Sequence, residues 1–194
     1  MKIVSKNIGF GITGSFCTVV EILDILKMLK AEGANIFPVM SDQVYHNDSR
    51  FHNRDQFLAE VEEITGRKVI STIAGAETMG PDTPLDVMII APATGTSLAK
   101  LANGISDTPV LMATKATLRN GRPVLLAMFS NDAMGANGVN VARLFNTKNI
   151  YFVPFGQDNP IKKPTSLTAD MSLLKDGLLA ALEGKQLQPA LIMH

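Results

Sequence analysis

Tryptophan is absent from this chain of 194 residues, and cysteine occurs once, at Cys17. A lone thiol cannot close an internal disulfide, which excludes the stapled secreted scaffolds and suits a reducing compartment. An excess of one charge is missing too. Lysine and arginine number 18, aspartate and glutamate 18, so no global field favours nucleic acid or an anionic membrane. No apolar stretch approaches bilayer length. Histidine is scarce, and no CxxC, HExxH or carboxylate–histidine spacing marks a metal site. Met1 to Ser5 runs straight into the first expected strand. That leaves no room for a signal peptide, and the expected setting is cytoplasmic.

What remains is ordered and apolar. Apolar residues make up 46% of the chain and charged residues 19%, a composition for one globular domain spanning residues 1–194. Ten methionines in so small a chain point weakly to apolar surface covered between subunits.

Organisation centres on Asp86 to Thr108. Val87 to Ala91 is a continuous apolar run, too short for an ordinary helix, and reads as a strand covered on both faces of a parallel sheet. Pro92 has no N–H to donate and is expected to end the ladder. Thr94, Gly95, Thr96 and Ser97 follow where strand hands over to helix, and Asn103-Gly104 marks that helix's stop. Small hydroxyl residues at such an edge can bind a ligand without crowding it. They can equally be a hydroxyl-rich helix cap with no ligand.

Around this centre the chain alternates. Strands are expected at Ile8 to Ile12, Asn35 to Met40, Lys68 to Ile73, Pro123 to Met128 and Ile150 to Pro154. Helices are expected at Val19 to Leu29, Arg54 to Thr65, Thr108 to Leu118, Val141 to Phe145 and Thr168 to Leu182. Asp42 to Asn53 reads as a loop over the site, Ala74 to Pro84 as irregular, and Gly156 to Thr165 as a mobile flap. An apolar tail follows at Leu191 to Met193. The alternation calls for a three-layer, doubly wound α/β fold with a parallel sheet of about six strands, Rossmann-like or flavodoxin-like.

Several strand ends then converge: Gly11 to Ser15, Ser41, Thr94 to Ser97, and Ser130-Asn131-Asp132. Gly11, Thr13, Gly14 and Ser15 form a turn before a helix, a pattern that can hold a phosphate through free N–H groups. No nucleophile–base pair is evident, so the site reads as a cradle for a phosphorylated cofactor that brings its own chemistry. His46 and His52 are possible acid–base groups on a loop; solvated loop histidines are the plainer reading. Asn131 and Lys115 complete the catalytic candidates. Lys162 and Lys163 could clamp an anion, or form an ordinary solvated pair.

Gly11-x-Thr-Gly-Ser15, Ala91-Pro-Ala-Thr-Gly-Thr-Ser97 and Lys100-Leu-Ala-Asn-Gly-Ile-Ser-Asp-Thr108 resemble the homo-oligomeric flavin-containing cysteine decarboxylase superfamily, which binds FMN. The resemblance implies strand order 3-2-1-4-5-6. It also implies FMN held by Gly11, Thr13, Gly14 and Ser15 at the phosphate, with Ser41, Pro92 and Thr94 to Ser97 beside the ribityl chain and ring. Trimers, or multiples of trimers, are implied as well. Met112 to Ala116, Thr147 to Asp158 and Lys163-Pro164 look like one branch of it. With an NADP-dependent dehydrogenase subunit, that branch turns a dihydrodipicolinate-type dicarboxylate into dipicolinate in the mother cell of spore formers. An oxidoreductase subunit is therefore expected; an independent flavin decarboxylase or prenyltransferase, and a non-catalytic partner, are the alternatives. The decarboxylases carry Asn-Thr where this chain has Thr96 and Ser97, and a Trp where Gly135 stands. Their histidine ahead of the central strand has its counterpart near Thr78.

Overall fold

The computed structural model describes residues 3–14, 19–49, 53–80 and 82–193. Strand β1 (Asn7–Ile12) lies between β2 (Asn35–Met40) and β3 (Val87–Thr94), parallel to both. Parallel strand β4 (Val124–Ser130) follows β3, and β5 (Ile150–Phe152) extends the first half of β4. On the far side of β2 the expected third strand is reduced to one parallel bridge, Val39 to Ile70. The sheet order foreseen for the six strands is thus observed. The third fails to lengthen because the Val69 N–H is taken by the Glu62 carboxylate at 3.0 Å, and Thr72 already caps the next helix.

Connections run through helices on both faces: α1 (Val19–Ala31), α2 (Asp42–His46), α3 (Arg54–Thr65), α4 (Ile73–Glu77), α5 (Gly95–Ala102), α6 (Pro109–Arg119) and α7 (Gly138–Phe145). Two of these correct the sequence reading, since α2 opens the stretch expected as a loop and α4 lies in the stretch expected as irregular. Both are single short turns, below the length at which periodicity is readable. None of the helices among the described residues is long and apolar enough to cross a membrane.

The region after β5 departs most from expectation. Thr168 to Leu182 is not one helix. Strand β6 (Phe155–Gly156) pairs antiparallel with β7 (Leu167–Ala169), and β7 pairs antiparallel with Phe129 and Ser130 of β4. Asp170 then caps a 3-10 turn by accepting from the Ser172 N–H at 3.0 Å, and only Leu174–Leu182 forms helix α8. The flap expected at 156–165 is tied down at its end. Thr165 Oγ1 donates to the Asn131 carbonyl at 2.7 Å, and Met134 N–H donates to the Thr165 carbonyl at 3.0 Å. The tail bridges Phe155 through Leu191, burying Ala190 while Leu191 and Met193 stay exposed.

The core explains the unbroken apolar run of β3. Val87, Ile89 and Ala91 face α1, α3 and α8, where Ile22, Leu26, Phe57, Val61 and Leu178 are buried. Met88 and Ile90 face α4, α5 and α6, against Val110, Ala113 and Leu98. Pro92 does not end the strand, as its missing N–H had suggested. The register shifts between Ile90 and Ala93, and pairing with β4 resumes at Ala93 and Thr94. Ala93 consequently joins the second face, with Met88 and Ile90. A bulge that resets the alternation lets the strand reach the site two residues later.

Candidate functional site

The carboxyl ends of β1, β3 and β4 open on one cavity of about 1490 Å³. This is the edge where open α/β sheets bind ligands. Thr13, buried after β1, backs the Thr94 that lines the cavity. Thr13 Oγ1 donates to the Pro92 carbonyl at 2.7 Å and accepts the Thr94 N–H at 3.2 Å. Thr94 in turn caps α5 by accepting from the Ser97 N–H at 3.4 Å, and its hydroxyl meets the Ser97 hydroxyl at 3.0 Å. Thr94 is thus a helix cap, as the hydroxyl-cap reading had it, and the Ser97 hydroxyl is bonded to it. Thr94, Gly95 and exposed Thr96 still present themselves to the cavity, as does Gly14.

A polar cluster from the β4 end forms the opposite wall. Ser130 Oγ donates to Asp132 Oδ1 at 2.6 Å, and Asn137 Nδ2 donates to both Asp132 oxygens at 3.0 and 2.9 Å. The Ser130 hydroxyl, then the Asn137 amide, hold the Asp132 carboxyl below the usual carboxylate range. Gly95 permits this cluster to close in. A Cβ there would lie 2.6 Å from Ser130 Oγ and 2.9 Å from both Asn137 Nδ2 and Asp132 Oδ1. Asn137 is the member that sequence reading missed, because a side chain five positions after a carboxylate carries no motif of its own.

The other foreseen residues separate. Asn131 and Lys163 line the cavity; Lys162 is exposed outside its lining, and Lys115 is exposed on α6. Gly11 serves packing, since a Cβ there would lie 2.7 Å from Val110 Cγ1 and 2.8 Å from Met88 Cε. His46 is exposed on α2, its ring edge-on to Tyr45. Ser15, Cys17 and His52 lie outside the described residues. Ser41 follows β2 beside β1, its N–H donating to the Ile12 carbonyl at 3.1 Å. Its Oγ is buried with no hydrogen-bond partner among the described residues, although Ser41 is N-cap of α2. Buried hydroxyls are seldom left so.

Charge in the cavity is lopsided. Glu21, Asp24, Asp132, Asp158 and Asp170 line it, against Lys100 and Lys163. Both lysines are already ion-paired, Lys100 with Asp107 and Lys163 with Asp158, each at 2.9 Å. Lys163 is also the first cause that holds the Asp158 carboxyl below the usual range. An anionic ligand reaching for Lys163 has to compete with Asp158.

Comparison with known proteins places this architecture. The chain is 49% identical to the B-type subunit of dipicolinate synthase from Bacillus subtilis (strain 168) over 187 residues, 96% of this chain and 94% of that one. The crystal structure of the corresponding dipicolinate synthase subunit from Bacillus halodurans C superposes with a TM-score of 0.92 at 47% identity, covering 100% of this chain and 99% of the other. An FMN-dependent cysteine decarboxylase shares the fold, with a TM-score of 0.68 at 23% identity over 92% of this chain and 98% of its own. Residues 1–175 match the flavoprotein family, and the chain belongs to that family.

Proposed function

We propose that this chain binds FMN and, with an NADP-dependent dehydrogenase subunit, forms dipicolinate from a dihydrodipicolinate-type precursor. The observation that carries the reading is the cavity's place, at the carboxyl ends of β1, β3 and β4, in a chain this similar to a dipicolinate synthase subunit. The residues present fit a flavin. Gly14 lines the cavity on the N-terminal side of α1, and the dipole of a helix N-terminus favours a phosphate. Ser41 holds a buried hydroxyl without a partner among the described residues at the neighbouring strand end. Gly95 lines the cavity beside the Ser130 cluster, which fills the space a side chain there would take.

A bound flavin supplies a two-electron acceptor, chemistry that the side chains lack. This chain's residues would bind and orient. Thr94 to Thr96 border the ligand, and Asn131 and Lys163 reach the substrate dicarboxylate, Lys163 after exchanging Asp158 for it. The decarboxylation or prenyl transfer of other flavoproteins is the weaker assignment. A homo-oligomer with threefold symmetry is part of the proposal. One observation favours a second reading, that of a partner without chemistry of its own: the Thr13, Thr94, Ser97 and Ser130 hydroxyls and both cavity lysines are bonded within the protein. Turnover of dihydrodipicolinate by this chain alone, by the dehydrogenase alone and by the mixture tests the assignment. Activity only in the mixture, with flavin absorbance in this chain, is the expected result; full activity from either chain alone overturns it.

A further inference from the structure

The Asp132 cluster does not end at the cavity wall. Asn137 Oδ1 accepts from Asn140 Nδ2 at 2.9 Å, Asn140 Oδ1 from Asn103 Nδ2 at 3.2 Å, and Asn103 Oδ1 from the Arg143 guanidinium at 2.8 Å. A cation therefore stands at one end of the chain and a carboxylate at the other, with three asparagine amides between. Each amide turns its carbonyl toward Arg143 and its NH2 toward Asp132. The ends dictate that orientation, because a guanidinium only donates and a carboxylate only accepts. Turning over any one amide would set donor against donor on one side and acceptor against acceptor on the other. Aligned dipoles in such a chain reinforce one another.

The consequence falls on Ser130. It is 6% exposed at the end of β4, where Leu167 pairs with it in the sheet. Its one hydroxyl proton is committed to Asp132 at 2.6 Å, the shortest bond in the cluster. What it can offer the cavity is an oxygen lone pair and nothing to donate. We propose that Ser130 is a specificity-determining acceptor in the cavity, held in that role by Asp132 as a positioning residue. It takes an uncharged N–H or O–H donor of the ligand and rejects an anionic oxygen. Carboxylate or phosphate oxygens would meet a lone pair backed by the Asp132 charge, so the anionic parts of any ligand lie toward Gly14 or Lys163.

This inference rests on the flavin-binding reading for its ligand. Oxidised FMN offers donors of two kinds, the imide N–H of the ring and the hydroxyls of the ribityl chain. Quenching of flavin fluorescence reads affinity without turnover, with FMN, 3-methyl-FMN and lumiflavin as probes. Ser130→Ala is expected to weaken FMN about tenfold, the effect of one hydrogen bond worth about 1.4 kcal/mol. Ser130→Thr, which keeps the hydroxyl, restores binding. Asp132→Asn weakens FMN to the level of Ser130→Ala, because an amide can donate to Ser130 and free its proton to turn. Arg143→Leu, at the far end and away from the cavity, weakens FMN about twofold with the fold intact.

The probes then separate the sources. If the imide is the donor, 3-methyl-FMN binds the wild type as weakly as FMN binds Ser130→Ala, and the variant loses nothing more. If the ribityl hydroxyls are the donors, 3-methyl-FMN behaves as FMN, and lumiflavin, which lacks them, does not distinguish variant from wild type. FMN affinity unchanged in Ser130→Ala overturns the acceptor role and leaves the flavin reading standing. Wild-type protein that takes up no FMN overturns the flavin reading, and this proposal with it.

Discussion

Thr13 and Pro92 are joined side chain to backbone across two strand ends, with Thr13 Oγ1 donating to the Pro92 carbonyl at 2.7 Å. The same oxygen accepts the Thr94 N–H at 3.2 Å, so one hydroxyl spans the bulge by which β3 resets its alternation. Removing the hydroxyl deletes both bonds at once. Thr13→Val keeps the shape and deletes both bonds, at an expected cost of about 1–3 kcal/mol. For a chain of this size each kcal/mol lowers the midpoint of thermal unfolding by about 2–4 °C. Thr13→Ser keeps the oxygen and should lose much less. Equal midpoints for Thr13→Val and wild type in a calorimetric scan would remove Thr13 from this structural role.

Gly11 and Gly95 make a contrasting pair. A methyl at Gly11 collides with Val110 and Met88 inside the core, whereas one at Gly95 collides with Ser130, Asp132 and Asn137 at the cavity. Overpacking of either kind costs about 1–3 kcal/mol, yet the consequences for binding differ. Gly11→Ala should lower stability and leave FMN affinity near that of wild type at a temperature where both are folded. Gly95→Ala should weaken FMN more than its loss of stability explains, since it pushes the Ser130 cluster out of place. Denaturant titration beside fluorescence titration separates the two, and a Gly95→Ala variant that binds FMN normally would contradict the cavity assignment.

Ser41 has the opposite signature. Its Oγ is buried with no partner among the described residues, so no bond to them offsets the desolvation cost of its burial. Ser41→Ala should leave the ligand-free protein as stable as wild type, or more stable by up to about 1 kcal/mol. If the hydroxyl meets the flavin, the same variant loses part of the stabilisation that added FMN confers. A clear drop in ligand-free stability would mean that Ser41 Oγ is bonded within the protein.

The parts of this molecule that were readable in advance are the local ones. Val87 to Ala91 announces a doubly covered strand because five apolar residues in a row leave no solvated face, and Thr94 to Ser97 announces a helix start because hydroxyls cap free N–H groups. The sheet order, which came from a family likeness, held even though Lys68 to Ile73 contracted to the single bridge at Ile70. Long-range partnerships were not readable. That Gly11 makes room for Val110, or that Arg143 reaches Asn103, depends on which elements the fold brings together. Leu167–Ala169 shows the limit in another way. Three residues are too few to display a period of two, so β7 merged with the amphipathic pattern of α8 behind it.

Acid should destabilise the protein in part through the two cavity carboxylates that are held ionised. The Asp132 and Asp158 carboxyls both titrate below their ordinary value of 3.8 in the folded chain, Asp132 through Ser130 and Asn137, Asp158 through Lys163. A folded-state value below the unfolded one means that the unfolded chain binds the proton first as pH falls. Each group therefore contributes stability that is fully present above the ordinary value and is lost as pH drops through the folded one. Stability measured by urea titration should be flat with respect to these groups near neutrality and fall steeply below about pH 4. Asp132→Asn and Asp158→Asn should each be less stable than wild type at neutral pH and converge on it in acid, where the wild-type carboxyls are neutral as well. Lys163→Met should copy Asp158→Asn, because it removes the first cause of that depression, and leave the Asp132 contribution untouched. The two aspartate contributions should add in a double variant, because they belong to separate hydrogen-bonded groups. Parallel pH profiles for wild type and Asp132→Asn, with no convergence in acid, would show that Asp132 is not held ionised by its cluster.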